Sequence, residues 1–356
     1  MAQERINAAR STGTRGLLLG TVALLLLNLA LLLPRRDKAA AAARPGALRI
    51  GLVFDVGGRG DKSFNDAAYL GVARAARELP VTVEYIEPGE GSDRESGLRL
   101  LAARGFDLVI GVGFIFSDDL YAMALEYPRL RFANIDYAKF DQNGFVQPPP
   151  NLIALKFREE EGSFLVGAIA GLRTRGNAVG FVGGMDMPLI RKFEAGYRAG
   201  VLAVCPACRV LSGYAGVSGD AFKNPGRGKE LALAQYGAGA DIIFHAAGTT
   251  GFGVFEAARA QHRLAIGVDA DQWAEAPGFL LTSMIKRIDV AVFQTIAELC
   301  AGRFHGGVQV FGLAEGGIDY AYDEPARGMI PTDVRARVEA LRQEIIRGAR
   351  RVPTAL

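Results

Sequence analysis

The chain has few of the residues on which many enzyme sites and disulfide scaffolds depend. Its 356 residues include three cysteines, three histidines and one tryptophan, so a small disulfide-rich fold is excluded. Lysine and arginine number 41 against 38 aspartates and glutamates, without a long basic tract, and this balance argues against a nucleic-acid surface. The sequence motifs of P-loop nucleotide sites, serine hydrolases and zinc proteases are missing. We therefore expect no cofactor, no metal site and no enzymatic activity.

One long hydrophobic run stands near the N-terminus, apart from the pattern of the remaining chain. Leu17–Leu33 carries no charge over 17 residues and follows a basic stretch, as in an export signal cleaved near Ala39–Ala43. The run also reaches the lower limit for a membrane-spanning helix, so residues 1–46 are an export signal or an uncleaved membrane anchor, plus a linker. Both interpretations place residues 47–356 outside the cytoplasm. No cysteine follows the run in this segment, so we expect that the protein is not a lipoprotein.

Beyond this segment, short apolar runs alternate with longer amphipathic stretches. Several runs are apolar without alternation, which is typical of parallel strands covered on both faces. Helical spacing of apolar residues lies between them, as in Phe64–Leu79, Leu189–Val201 and Thr332–Arg347. This order predicts an α/β fold of repeated strand–helix units, and a proline-rich loop at 142–151 divides the units into two lobes. The strand candidates are Leu48–Phe54, Val81–Ile86, Leu108–Val112, Arg131–Ile135, Leu152–Leu155, Ala178–Val182, Ile242–Ala246, Leu264–Val268 and Leu280–Ser283.

Glycine is in excess, with 45 of 356 residues, or about 13% against an average of about 7%. Many glycines and aspartates follow the predicted strands, and ligands bind beyond the carboxyl ends of the strands in open parallel sheets. A glycine lets the backbone approach a ligand closely, although tight loops need glycine as well. Residues 57–60 do not match the dinucleotide fingerprint, and carboxylates such as Asp55, Asp61, Asp186 and Asp269 would repel phosphate. The pattern predicts a neutral ligand rich in hydroxyl groups.

Two aromatic residues are candidates for stacking on a planar ligand. Phe64 opens the first predicted helix, and Phe222 lies in a polar loop of glycine, asparagine and proline. Packing in the core is the alternative for both, and for Phe114 and Phe116 it is the favoured interpretation.

Five segments of the chain resemble the basic membrane protein family, the purine-nucleoside-receptor type of ABC transporter substrate-binding protein. The most specific are Ile50–Asn65 (IGLVFDVGGRGDKSFN) and Gly180–Gly200 (GFVGGMDMPLIRKFEAGYRAG), and the shorter ones are Gly228–Gly239, Gly267–Gln272 and Leu281–Ile288. The resemblance implies a type I periplasmic-binding-protein fold, in which two Rossmann-like lobes are joined by three crossovers and close over a ligand. It places lobe 1 at 47–153 and 276–306, and lobe 2 at 154–275 and 307–356. The crossovers are expected near Asn151–Lys156, Asp269–Gly278 and Gly306–Gly312.

The resemblance also implies a purine nucleoside as the ligand and an ABC permease in the inner membrane as the partner. On this basis Asp55 and Asp118 bond the base, Phe64 and Phe222 stack on it, and Asp269 binds the ribose hydroxyls. Beside these, the implied ligand-binding set contains Asn65, Gly184, Met185, Gly248 and Lys286. The alternatives are a membrane-anchored sensor with the same fold and a binder of another ribose- or sugar-containing solute.

The spacing of Cys205 and Cys208 is C-x-x-C, between a predicted helix and a strand. A thioredoxin-like site would instead open a helix after a strand. In an oxidising compartment this pair is expected to form a small loop-closing disulfide. Zinc is disfavoured because no histidine has a spacing that completes a site. Cys300 is expected to be a buried free thiol.

Overall fold

The computed structural model describes residues 46–87, 94–322 and 328–356. The predictions for the N-terminal signal or anchor concern residues that lie outside this part. Within it, no helix is both long enough and apolar enough to cross a membrane.

One six-stranded sheet forms the first lobe. Its strands all run parallel, in the order β13-β7-β4-β3-β1-β2. The central strand Leu108–Val112 is buried along its whole length, as expected for a parallel strand covered by helices on both faces. In chain order these strands are β1 (Leu48–Val53), β2 (Val81–Ile86), β3 (Leu108–Val112), β4 (Arg131–Ile135), β7 (Leu152–Phe157) and β13 (Gly307–Phe311), and β5 (Phe140–Asp141) and β6 (Gly144–Phe145) form a separate hairpin.

A second six-stranded sheet forms the other lobe, in the order β14-β12-β11-β10-β8-β9. Its strands are parallel except for the edge strand β14, which pairs antiparallel with β12. Its strands are β8 (Ala178–Met185), β9 (Arg209–Gly216), β10 (Ile242–Ala246), β11 (Leu264–Asp269), β12 (Leu280–Lys286) and β14 (Ile318–Tyr320). The prediction of an α/β fold with two lobes is therefore confirmed.

Helices connect the strands and cover the sheets. They are α1 (Phe64–Glu78), α2 (Arg94–Ala103), α3 (Ser117–Glu126), α4 (Glu159–Arg173), α5 (Pro188–Val204), α6 (Pro225–Gly237), α7 (Gly251–Gln261), α8 (Ile288–Cys300) and α9 (Thr332–Ile346). The expected apolar face of α9 is buried through Val334, Val338, Leu341 and Ile345, and it packs against α4.

The chain passes between the two sheets three times, and each passage lies later in the chain than predicted. The first was assigned after residue 153, but β7 stays in the first sheet to Phe157. The segment 276–306 was assigned to lobe 1, but β12 pairs with β11 in the second sheet, so the return to lobe 1 follows Lys286. Residues from 307 onward were assigned to lobe 2, but β13 pairs with β7 in the first sheet. The boundaries came from the resemblance, and only the strand pairing shows which sheet each strand joins.

The three crossing segments are hydrogen-bonded to one another. The backbone N–H of Arg158 donates to the carbonyl of Phe311 at 2.9 Å, and that of Arg287 donates to Gly317 at 2.8 Å. The N–H of Leu313 donates to a carboxylate oxygen of Glu161 at 2.8 Å. These bonds fix the positions of the strand ends that lead into each crossing.

Cys205 and Cys208 form the expected disulfide, with Cα atoms 5.4 Å apart. It closes the turn between α5 and β9. Cys300 is free, as expected, but it is half-buried rather than buried.

Candidate ligand-binding cleft

A cavity lies where the carboxyl ends of the two sheets meet, and both lobes line it. Lobe 1 contributes residues that follow β1, β3 and β4 or open α1. Lobe 2 contributes residues that end or follow β10, β11 and β12, lie in the turn after β9, or belong to α5. This is the edge at which open parallel sheets bind ligands. The lining residues include Asp55, Asp61, Phe64, Asn65, Phe114, Asp136, Ile190, Phe193, Phe222, Gly248, Asp269 and Lys286.

Two half-buried aromatic residues enter the cavity from opposite lobes. Phe64 is the first residue of α1, and Phe222 ends a short helical turn after β9. The ring of Phe222 lies directly against Gly184, where a Cβ atom would overlap the ring. Its carbonyl accepts a hydrogen bond from the hydroxyl of Thr249 at 2.8 Å, so the turn is held at the mouth of the cavity.

The carboxyl of Asp55 is positioned by its neighbours at the end of β1. It accepts a hydrogen bond from the backbone N–H of Val56 at 2.6 Å, and the N–H of Asp55 donates to the side-chain oxygen of Asn65 at 2.9 Å. Gly113 has a φ of +110°, and a Cβ there would overlap the carboxylate. Removal from water raises the pKa of Asp55 to about 7, against the lowering effect of the Val56 hydrogen bond.

Asp269 ends β11 and is buried with its backbone in the left-handed region, at a φ of +65°. A non-glycine residue in this region is strained, and such strain concentrates at functional sites. Burial raises the pKa of Asp269 to about 6, although the positive charge of Lys286 acts in the opposite direction. Its carboxylate is therefore held in a site that favours the protonated form more than water does.

Hydrogen bonds join the two lobes across the cavity. The hydroxyl of Ser63, from lobe 1, donates to the carboxylate of Asp269 at 2.5 Å. The side-chain amide of Gln272 donates to the carbonyl of Lys62 at 3.2 Å, and the other end of this amide accepts from the N–H of Val268. In this arrangement the lobes are closed on one another.

A buried ion network forms the floor of the cavity. The ammonium of Lys286 lies 2.6 Å from Asp136 and 3.1 Å from Glu159, and Lys192 lies 2.7 Å from the other oxygen of Glu159. Burial alone would lower the pKa of Lys286, but the carboxylates of Asp136 and Glu159 raise it well above its usual range. The network joins the end of β4, the start of α4 and the end of β12, so it lies where the chain crosses between lobes.

The chain matches, over residues 49–353, the family described as ABC transporter substrate-binding protein PnrA-like, or Bmp. It belongs to this family. Membership confirms the resemblance seen in the sequence, and this extracytoplasmic family supports the predicted location of the folded part outside the cytoplasm.

Named relatives and a solved structure agree with this membership. The ABC transporter nucleoside-binding protein BmpA of Lactococcus lactis is 30% identical over 86% of this chain and 89% of its own length. A lipoprotein of Pyrococcus furiosus is 37% identical over 77% of this chain and 70% of its own length. An ABC transporter solute-binding protein from Aeropyrum pernix has a similar structure, with a TM-score of 0.76 and 32% identity over 86% of this chain and 93% of that one.

The lipoprotein relatives bear on the attachment of the chain to a membrane. Our expectation that this protein is not a lipoprotein contrasts with the name of the Pyrococcus relative. A lipid would be attached to a cysteine near the N-terminus, and the three cysteines of this chain stand at 205, 208 and 300. The expectation therefore stays a prediction about the N-terminal segment.

Seven of the ten residues proposed from the sequence line the cavity together: Asp55, Phe64, Asn65, Phe222, Gly248, Asp269 and Lys286. Asp118 does not, because its side chain is 81% exposed and pairs with Lys139 at 2.5 Å. Gly184 supports the ring of Phe222 from behind, and Met185 ends β8 outside the cavity lining.

Several lining or floor residues were missing from the proposed set, among them Asp136, Phe114, Glu159 and Lys192. Asp136 directly follows a predicted strand, and that position was a signal for including it. Phe114 was expected in the core, but it is half-buried and lines the cavity, whereas Phe116 is fully buried as expected. Glu159 and Lys192 join the ion network because the crossing segments lie side by side. No local sequence pattern indicates that arrangement.

Proposed function

We propose that the protein binds a purine nucleoside between its two lobes and delivers it to the permease of an ABC importer, without chemical turnover. One observation carries the proposal: a single cavity combines aromatic rings from opposite lobes, Phe64 and Phe222, with the carboxylates of Asp55 and Asp269. Stacking on an aromatic ring contributes about 1–3 kcal/mol per base. Carboxylates accept hydrogen bonds from ribose hydroxyls and from base N–H groups.

The electrostatics of the cavity favour a neutral, hydroxylated solute. Asp55 and Asp269 both have raised pKa values because they are removed from water, so each gains from a partner that donates hydrogen bonds. A buried acceptor left without its donor is costly, which lets such a site reject analogues that lack a hydroxyl. The nucleoside-binding relative from Lactococcus supports the same ligand class.

A melting experiment tests the ligand class. Adenosine, guanosine or inosine should raise the melting temperature of the purified protein, because a ligand that binds only the folded state stabilises it, by about 2.7 kcal/mol at a concentration 100 times Kd. Ribose, galactose and the free bases serve as matched controls. A shift with a sugar and none with any nucleoside would replace the ligand by a sugar, and no shift with any of them would refute the proposal.

The contribution of Phe222 to the affinity for a nucleoside can be measured. Phe222→Ala should weaken nucleoside binding by about tenfold or more, since the lost stacking of about 1–3 kcal/mol corresponds to a factor of about 5 to 150. Titration calorimetry measures it, with Phe140→Ala as the control, because Phe140 is 60% exposed and lies outside this cavity. An unchanged affinity in Phe222→Ala would assign the stacking to another ring, with Phe114 the next candidate.

A further inference from the structure

A second cavity of about 420 Å³ adjoins the first one and shares Phe114, Asp136 and Leu189 with it. It is lined by the end of β7, the start of α4, the loop after β4, and the N-terminal turn of α5. None of the residues proposed from the sequence is among its lining. Its chemistry differs from that of the first cavity. The first is lined by the carboxylates of Asp55 and Asp269, and the second has the lysines Lys156 and Lys192 in its lining.

Lys156 is the lysine in this cavity without an ionic partner. It is half-buried on β7, and among the described residues no carboxylate lies within ion-pair distance of its ammonium. The ammonium instead lies 4.2 Å from the centre of the Phe145 ring. Burial lowers the pKa of Lys156 and the charge of Lys192 lowers it further, against the raising effect of the Glu159 and Asp136 carboxylates. An anion placed beside it would relieve both effects.

Two further groups add positive potential or hydrogen-bond donors to the same cavity. Tyr137 is 1% exposed, and its hydroxyl has no hydrogen-bond partner in the described part of the chain. Burial raises the pKa of Tyr137, so the hydroxyl remains a donor. The 17-residue helix α5 begins at the cavity with Pro188, and its first turn contains no acidic residue and no side-chain cap. A helix N-terminus in this state favours an anion.

The acidic residues of the cavity do not cancel these groups. Asp136 and Glu159 line it as well, but their carboxylates are paired with Lys286 and Lys192 at 2.6 to 3.1 Å. Lys156 is therefore the lysine of this lining without an ion pair of its own, and the carboxylates of Glu159 and Asp136 act on it only from beyond ion-pair distance.

We propose that this second cavity is a subsite for an oxyanion, a carboxylate or phosphoryl group, carried by the solute whose neutral part occupies the first cavity. Lys156 is its main ligand, and the Tyr137 hydroxyl and the N-terminus of α5 are further donors. The inference rests on the proposed function, since a nucleoside in the first cavity would carry the anionic group. It extends the ligand class from nucleosides to nucleosides with an anionic substituent.

Titration calorimetry on the purified protein tests this with guanosine, its 5′- and 3′-monophosphates and its 5′-carboxylic acid. At least one anionic derivative should bind about tenfold tighter than guanosine, and the comparison of phosphates with the carboxylic acid distinguishes the two oxyanions. Lys156→Met should remove this advantage without changing the affinity for guanosine. Lys139→Met is the control, because it removes a nearby lysine that is already paired with Asp118. This variant should still bind the anionic derivative more tightly than guanosine.

The outcomes separate the two proposals. If guanosine binds and no anionic derivative binds tighter, or if the advantage survives in Lys156→Met, the subsite is refuted and the proposed function stands. A second arm does not depend on nucleosides: inorganic phosphate should raise the melting temperature above that in chloride of equal ionic strength, and Lys156→Met should abolish the rise. An equal rise in both proteins contradicts the subsite.

Discussion

Asp269→Asn is expected to weaken nucleoside binding by about 100-fold or more. The carboxylate is buried at the cavity, and hydrogen bonds to a charged group are worth about 1.5–3 kcal/mol each, so the loss of charge toward two ribose hydroxyls accounts for this range. Asparagine has nearly the same shape and tolerates the left-handed backbone at a φ of +65°. Titration calorimetry with guanosine, inosine and adenosine measures the change.

The same substitution should leave the fold at least as stable as before. The pKa of Asp269 is raised to about 6 from 3.8, so above pH 6 the ionised carboxylate destabilises the folded state relative to the unfolded one. Replacing it by a neutral amide removes this cost, and urea unfolding at pH 7 should show no loss. Ser63→Ala is the control, because it removes the hydroxyl that donates to Asp269 and keeps the charge. An affinity unchanged in Asp269→Asn would refute the ribose role of this residue.

Lys286→Met is expected to lower the free energy of unfolding by about 3–5 kcal/mol, because it leaves the buried carboxylates of Asp136 and Glu159 without their shared cation. Lys286 is 2% exposed, so water cannot replace the lost charge. Urea unfolding at pH 7 measures the difference. Glu159 keeps its contact with Lys192, which places most of the loss on Asp136.

Two variants make this prediction specific. Lys139→Met removes a lysine whose partner Asp118 is 81% exposed, so it should cost at most about 1 kcal/mol. Combining Asp136→Asn with Lys286→Met should recover part of the loss, since the unpaired charge is gone. If Lys286→Met lowers the free energy of unfolding by no more than Lys139→Met does, the ion network does not stabilise the floor of the cavity.

The sequence predicts the strands of this fold well because buried parallel strands are continuous apolar runs. Leu108–Val112, Arg131–Ile135 and Ile242–Ala246 have the predicted bounds. Gly307–Phe311 and Ile318–Tyr320 were missed because they are edge strands. The first exposes Val308 and Val310, and the second has only three residues, so neither shows a buried apolar pattern.

The candidate site could be predicted as far as strand ends and motifs determine it. Asp55 and Asp269 follow β1 and end β11, and the topology brings these ends together. Asp118 was carried over from the resemblance, but its side chain turns to solvent and pairs with Lys139. Glu159 could not be found, because its place beside Lys286 depends on how two crossings lie against each other.

The glycine excess has a local explanation at two positions of the cleft. Gly113 leaves space for the carboxylate of Asp55, and Gly184 leaves space for the ring of Phe222. Any side chain at either position would displace a group on which the proposed binding mode depends. Glycine here sets the shape of the site rather than the flexibility of the chain.

Titration calorimetry of guanosine into the purified wild-type protein at pH 7.5 tests the central claim most directly. One molecule should bind per chain, with a Kd in the micromolar range or tighter, and ribose or guanine alone should show no detectable binding. Both the base and the ribose are needed in the proposed binding mode, in which the rings stack on the base and the carboxylate of Asp269 binds the ribose. No binding of guanosine, inosine or adenosine, or equal binding of ribose alone, would contradict it.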